Sequence, residues 1–140
     1  MKYVLDTNTV SFLMRGDASV AAQLERRLRT DVLLPQPVVA EIEYGLSRLP
    51  RSQRQRRLRR RFSVLLEELI RAEWTDAVSV AFGEIKASLE SRGARLEDFD
   101  IAIAAHALAH SAILVTDNVS QMGRIQGLRV ENWRDHPSGS

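Results

Sequence analysis

The chain has 140 residues, 44% of them apolar and 27% charged, and no cysteine. That length suits one domain with a real core, and the absent thiols exclude a disulfide framework, a thiolate metal site and a cysteine nucleophile. Eighteen of the 20 basic residues are arginine; eight of these fall between Arg48 and Arg61 with no acid among them, leaving the other residues at net −6. Such asymmetry reads either as contact with an anionic partner or as a solvated helix face. Only Tyr3, Val4 and Leu5 separate Lys2 from Asp6, which leaves no room for a secretory apolar region. The uncharged run from Ile101 to Thr116 is too short for a membrane span. The protein is therefore expected in the cytoplasm, with no membrane contact.

Lys2 to Asp6 predicts a short buried strand, with Thr7-Asn8 capping a helix that runs to about Met14. Gly16-Asp17 breaks that helix, and Val20, Leu24 and Leu28 predict a second. Val32 to Leu34 reads as a strand closed by Pro35. Pro37 then lies in the first turn of a helix with the apolar stripe Val38, Ile42, Leu46 and Leu49. Pro50 ends it. A fourth helix carries Leu58, Phe62, Leu65 and Leu69, and Glu73-Trp74 predicts a brief strand. The fifth helix, from about Asp76 to Ser91, has the stripe Val78, Phe82, Ile85 and Leu89 and closes at Arg92-Gly93. An alanine-rich sixth, Asp98 to His110, is apolar enough to be mostly buried. Ala112 to Thr116 is the clearest strand; a turn at Gly123 to Gly127 and an edge strand at Arg129 to Trp133 follow. Residues 1–135 are expected to form one domain and 136–140 a disordered tail. Strands alternating with helices imply an α/β fold, with a central, mainly parallel sheet of four or five short strands flanked by helices on both faces.

In open α/β sheets, sites form beyond the carboxyl ends of the strands. Two strands end in acids, Asp6 and Asp117, which emerge at one edge if both strands are central and parallel. Either acid alone reads equally as a turn or cap residue. Asp100 is harder to dismiss, because helical spacing places it in the middle of its helix's apolar face, among Ile103, Ala104 and Ala107. An ionised carboxylate buried there costs several kcal/mol unless it is paired or bound to metal. Asp98 is free to cap the same helix. On the third helix Glu41 borders the apolar stripe while Glu43 faces solvent, so Glu41 is the candidate; its plainer alternative is a rim carboxylate on an arginine. Four converging carboxylates repel and are driven toward protonation unless a counter-charge is present. No lysine is placed to neutralise them all, whereas Mg²⁺ or Mn²⁺ with oxygen ligands would. Thr7, Asn8, Thr116 and Asn118 offer neutral oxygens around such an ion. The pattern points to metal-assisted phosphoester chemistry. His106 and His110 have the spacing of a zinc pair but lack a third ligand, and read as helix-flank residues. Trp74 and Trp133 read as packing residues.

The segments YVLDTNTVSFL at the start, VVAEIEYGL at 38–46, DFDIAIAAHALAHSAILVTDN at 98–118 and GLRVENW at 127–133 resemble PIN-domain ribonucleases. Within that superfamily they look most like the VapC toxins of bacterial type II toxin–antitoxin pairs, in the family's order and over nearly the whole chain. The resemblance implies that Asp6, Glu41 and Asp100 build a Mg²⁺-dependent RNA phosphodiesterase centre in which Mn²⁺ can substitute. Asp6 and Asp100 would be direct ligands, Glu41 a water-mediated ligand or water-orienting group, and Thr7 or Asn8 a support. Many such domains carry a further acid two residues after the threonine that ends the strand. Here that position is Asn118, and the acid is Asp117, one residue earlier. Either Asp117 takes over the role or the site runs with three acids and an amide; we assign Asp117 a supporting part. An activated water attacking in line would leave a 5′-phosphate and a 3′-hydroxyl.

Arg51, Arg54, Arg57 and Arg61 are candidates for contacting RNA backbone phosphates, which would give position and salt-dependent affinity rather than sequence readout. The resemblance also implies a VapB-like antitoxin lying across the active-site groove, and a homodimer or toxin–antitoxin hetero-oligomer. Val10, Phe12, Leu13, Leu46 and Leu49 are apolar candidates for lining that groove, at least half of them expected to be plain core. Two rival readings remain. One is a catalytically inactive PIN-like module that binds RNA or a partner. The other is a haloacid-dehalogenase-type phosphatase, which needs a second acid where Asn8 stands and a later lysine, for which Lys86 on the exposed side of the fifth helix is poorly placed.

Overall fold

Val4, Leu5, Leu33, Leu34, Leu114 and Val115 are all buried, although neighbours in a strand point to opposite faces of a sheet. Strands apolar on both faces belong to a parallel sheet covered by helices on each side. A computed structural model describes residues 1–134 and has this arrangement. Five strands, β1 (Tyr3–Leu5), β2 (Val32–Pro35), β3 (Ile70–Ala72), β4 (Ile113–Val115) and β5 (Val130–Glu131), form one sheet in the order β3-β2-β1-β4-β5. Every pairing is parallel, and Val4 of β1 lies opposite Leu33 of β2 and Leu114 of β4. The predicted tail, 136–140, lies outside the described residues.

The helices are α1 (Thr7–Met14), α2 (Ala18–Glu25), α3 (Gln36–Arg48), α4 (Gln53–Glu68), α5 (Asp76–Ser91), α6 (Asp98–Ala109) and a four-residue α7 (Val119–Met122). The predicted stripes of α3, α4 and α5 are largely the buried ones, whereas α2 ends before Leu28, which precedes the short 3-10 turn Arg29–Asp31 and is exposed rather than part of a buried stripe. Val38, Ile42 and Leu46 of α3, Leu58, Phe62 and Leu65 of α4, and Val78, Ile85 and Leu89 of α5 all enter one core. Gly16 and Gly93 end their helices at φ +85° and +70°, where a side chain would be strained.

Four expectations need correction. The strand after α4 is Ile70–Ala72, not Glu73-Trp74: at the sheet's edge only Ala72 is buried, so no alternating pattern marks it. Helix α7 falls where the sequence predicts no element, since four residues carry too little periodicity to read. Asp6 rather than Thr7-Asn8 caps α1, and Glu97 rather than Asp98 stands at the cap position of α6. His106 is fully buried rather than on the helix flank, with Nδ1 2.8 Å from the Ala102 carbonyl oxygen and Trp74 edge-on at 5.6 Å. Burial also pushes its imidazole below the ordinary histidine range.

Candidate active site

The sheet order reverses between β1 and β4: the chain leaves β1 toward β2 and returns on the other side as β4. Such a reversal opens a crevice beyond the strands' carboxyl ends. Leu5 lies opposite Val115, and the Asp6 N–H donates to the Val115 carbonyl at 3.1 Å. The register therefore brings Asp6 beside Thr116 and Asp117. Asp6 is at once cap and site acid. Its Oδ1 accepts the Thr9 N–H at 2.8 Å, which satisfies a free donor of α1. Burial raises the Asp6 carboxyl above the ordinary aspartate range; hydrogen bonds from Thr116 and Thr9 pull it back, and the charge of Asp117 pushes it up again.

Helix α3 brings Glu41 to the same place, and the Thr7 hydroxyl donates to its Oε1. Helix α6 brings Asp100, whose half-buried position raises its carboxyl above the ordinary range; the charges of Glu41, Asp6 and Glu97 then add to the rise. Asn8 donates through Nδ2 to Asp117 at 3.4 Å. Asn118 turns away, with Nδ2 donating to Gln121 at 2.7 Å, while its backbone N–H donates to the Thr116 hydroxyl at 2.9 Å. Asp6, Thr7, Asn8, Glu41, Asp100, Thr116 and Asp117 thus lie together at one edge of the sheet, with the Asn118 side chain directed elsewhere.

Glu41 and Asp100 line an open cleft of about 980 Å³ between α3 and the α5–α6 corner. Lys86 lines it too, with Nζ 3.0 Å from Asp98, so the lysine set aside in the sequence lies at the rim of the acid centre. Sequence reasoning also missed Thr9, whose backbone and hydroxyl hold Asp6 and the Val115 carbonyl. Only knowledge of which strands pair could have marked it. Tyr44, Arg95 and Phe99 in the cleft walls were likewise missed.

The α4 arginines do not line this cleft. Arg61 donates to the Met14 carbonyl at 2.8 Å, closing the end of α1, while Arg51, Arg54 and Arg57 are exposed. Among the apolar candidates for a partner groove, Val10 and Leu46 are core; Phe12, Leu13 and Leu49 are half-buried against it.

Among the described residues no group of three or more acids or histidines is drawn together tightly enough to cage an ion by itself. Mg²⁺ asks for less, because it keeps several waters and is held by one or two carboxylates plus substrate phosphate. Asp6 and Asp100, whose carboxyls are raised by burial and by the charge of neighbouring acids, are the groups such an ion would relieve. The donor set therefore fits a hard divalent cation.

Acids gathered at the switch point of a parallel sheet stand where open α/β folds place their functional sites. The family model for the PIN domain matches residues 3–125, and the chain belongs to that family. It is 30% identical to the ribonuclease VapC2 of Rickettsia felis over 135 residues, covering 95% of this chain and 98% of the relative. It is 26% identical over 133 residues to the tRNA(fMet)-specific endonuclease VapC of Salmonella typhimurium, with the same coverage. Among solved structures, the crystal structure of VapBC2 from Rickettsia felis bound to a promoter DNA fragment matches with a TM-score of 0.85. It is 29% identical, over 95% of this chain and 99% of that one. Divalent-metal dependence is general among PIN-domain nucleases.

Proposed function

We propose that this protein is a metal-dependent endoribonuclease toxin of a type II toxin–antitoxin pair, silenced by a VapB-like antitoxin. One observation carries the chemistry: Asp6, Glu41 and Asp100 converge from three chain-distant elements, and burial together with the charges of Glu41 and Asp6 raises the Asp100 carboxyl. The full-length likeness to VapC ribonucleases supplies the substrate class.

Asp6 and Asp100 would hold Mg²⁺, with Mn²⁺ an acceptable substitute. The bound ion would lower the pKa of a water and screen the phosphodiester's charge. Glu41 has one oxygen committed to Thr7, which leaves the other to orient the attacking water and take its proton. Asp117 supports the centre rather than Asn118, because its charge reaches Asp6 and Asn8 steadies it, whereas the Asn118 amide is engaged by Gln121. Thr116 holds Asp6 in place. Arg51, Arg54 and Arg57 would meet RNA phosphates outside the cleft, with Arg61 contributing less because it ties α1. We further infer that residues 1–135 act as one catalytic unit in the cytoplasm, as a homodimer or within a toxin–antitoxin hetero-oligomer. Among the described residues no helix is long and apolar enough to cross a membrane.

The test is to free the chain of antitoxin and incubate it with total cellular RNA in Mg²⁺, Mn²⁺ or EDTA, with Asp100→Asn alongside and melting temperatures recorded. Cleavage that needs metal and Asp100, with metal raising the wild-type melting point, supports the proposal, since a ligand bound only by the folded state must stabilise it. RNA binding indifferent to metal and to Asp100 points to an inactive module instead.

A further inference from the structure

Tyr44 and Phe99 stand out among the aromatic rings. Both line the cleft that holds Glu41 and Asp100, and both are open to solvent, Tyr44 by 65% and Phe99 by 46%. Trp74 is equally exposed at 46%, yet its ring packs on Phe82 and stands against His106. Phe99 has no aromatic or cationic partner among the described residues. Tyr44 has only the Arg48 guanidinium, 5.5 Å from its ring centroid. Arg95 lines the same cleft, and its side chain makes no hydrogen bond or ion pair among the described residues; Lys86 is engaged by Asp98.

We propose that Tyr44 and Phe99 are stacking platforms for unpaired nucleobases flanking the scissile phosphodiester, with Arg95 on an adjoining phosphate. This rests on the ribonuclease reading above. Bases in an A-form duplex hide their faces, whereas splayed bases present them to aromatic rings. An apolar peptide helix is the poorer fit. Helix-in-groove docking needs a continuous apolar trough, and this cleft is also lined by Glu90, Glu97, Asp98 and Gln121. Tyr44 on α3 and Phe99 on α6 also flank Glu41 and Asp100 in sequence, so bases on the rings lie next to a phosphate at the acids.

The test uses Asp100→Asn as a non-cleaving background and single-stranded oligoribonucleotides carrying 2-aminopurine, whose fluorescence falls on stacking. A matched duplex and an oligomer with abasic sites serve as controls. Adding Tyr44→Ala or Phe99→Ala should each weaken single-strand binding about tenfold and restore the fluorescence. Tyr44→Phe and Phe99→Tyr should stay within about twofold of the parent, and the abasic oligomer should not register ring removal. Unchanged affinity in the alanine variants would overturn the proposal. So would an equal loss on the duplex or abasic oligomer, a fall in melting temperature that matches the loss, or a loss confined to antitoxin binding. Failure of the ribonuclease reading shows separately, as wild-type protein that leaves RNA intact in Mg²⁺.

Discussion

Two charged regions of this molecule have opposite characters. Helix α4 carries most of the chain's clustered arginine, yet its cost is low, because the side chains project into water and Glu43 or the end of α1 engages two of them. The acid centre holds fewer charges and is under far more electrostatic stress, because Asp6 and Asp100 are withdrawn from water and face other acids. Charge density is a poor guide to function; charge that has lost its solvent and gained no partner is a better one.

The sharpest break in this comparison is Asp6, where the cap and the chemistry share one side chain. Asparagine caps helices about as well as aspartate. Asp6→Asn is therefore expected to keep the wild-type fold by circular dichroism while RNA cleavage falls by two orders of magnitude or more. Asp6→Ala should lose cleavage and, in addition, about 1 kcal/mol of stability.

Next comes the outer region. Neutralising Arg51, Arg54 and Arg57 together should weaken RNA binding strongly at low salt. If all three meet phosphates, the plot of log affinity against log salt should flatten by about 2. The cleavage rate at saturating RNA should hardly move. Arg61→Ala should instead cost about 1 kcal/mol of stability, through loss of its bond to the Met14 carbonyl, and so lower the melting point.

A smaller effect concerns pH. Asp6 and Asp100 have folded-state pKa values raised above their ordinary range, so the folded protein binds more protons than the unfolded chain. Their contribution to stability is fully present below the ordinary aspartate range and is lost as pH rises through the elevated values. Without metal, Asp100→Asn should thus melt a few degrees above wild type at neutral pH and lose that advantage in acid. With Mg²⁺ the order should shrink or invert, because only the wild type gains the ion. Calorimetry across pH, with and without EDTA, reads all of this. Smallest of all, Arg59→Ala removes an exposed ion pair with Glu43 and should change stability by less than about 1 kcal/mol.

Much of the site was legible because its acids violate local pattern. Asp100 interrupts an otherwise apolar face, Glu41 borders another, and Asp6 and Asp117 terminate apolar runs; each is visible within a few residues of chain. The helix stripes of α3, α4 and α5 were legible for the same reason. Strand β3 and helix α7 were not, being too short to carry a period, and β3 lies on an edge with little to bury. His106 sits on a helix buried on nearly every side, where no polar face exists to tell flank from core.

What the sequence determined by itself is therefore the longer helices and central strands, the parallel α/β class and the acids out of place, since all follow from spacing along one segment. Only the tertiary structure decided that Asp6 caps α1 while serving the site, that Arg61 closes α1 rather than standing free, and that Tyr44 and Phe99 share a cleft. Those facts depend on β1 lying between β2 and β4. Strand order is set by the collective burial of the whole core, which no local period encodes.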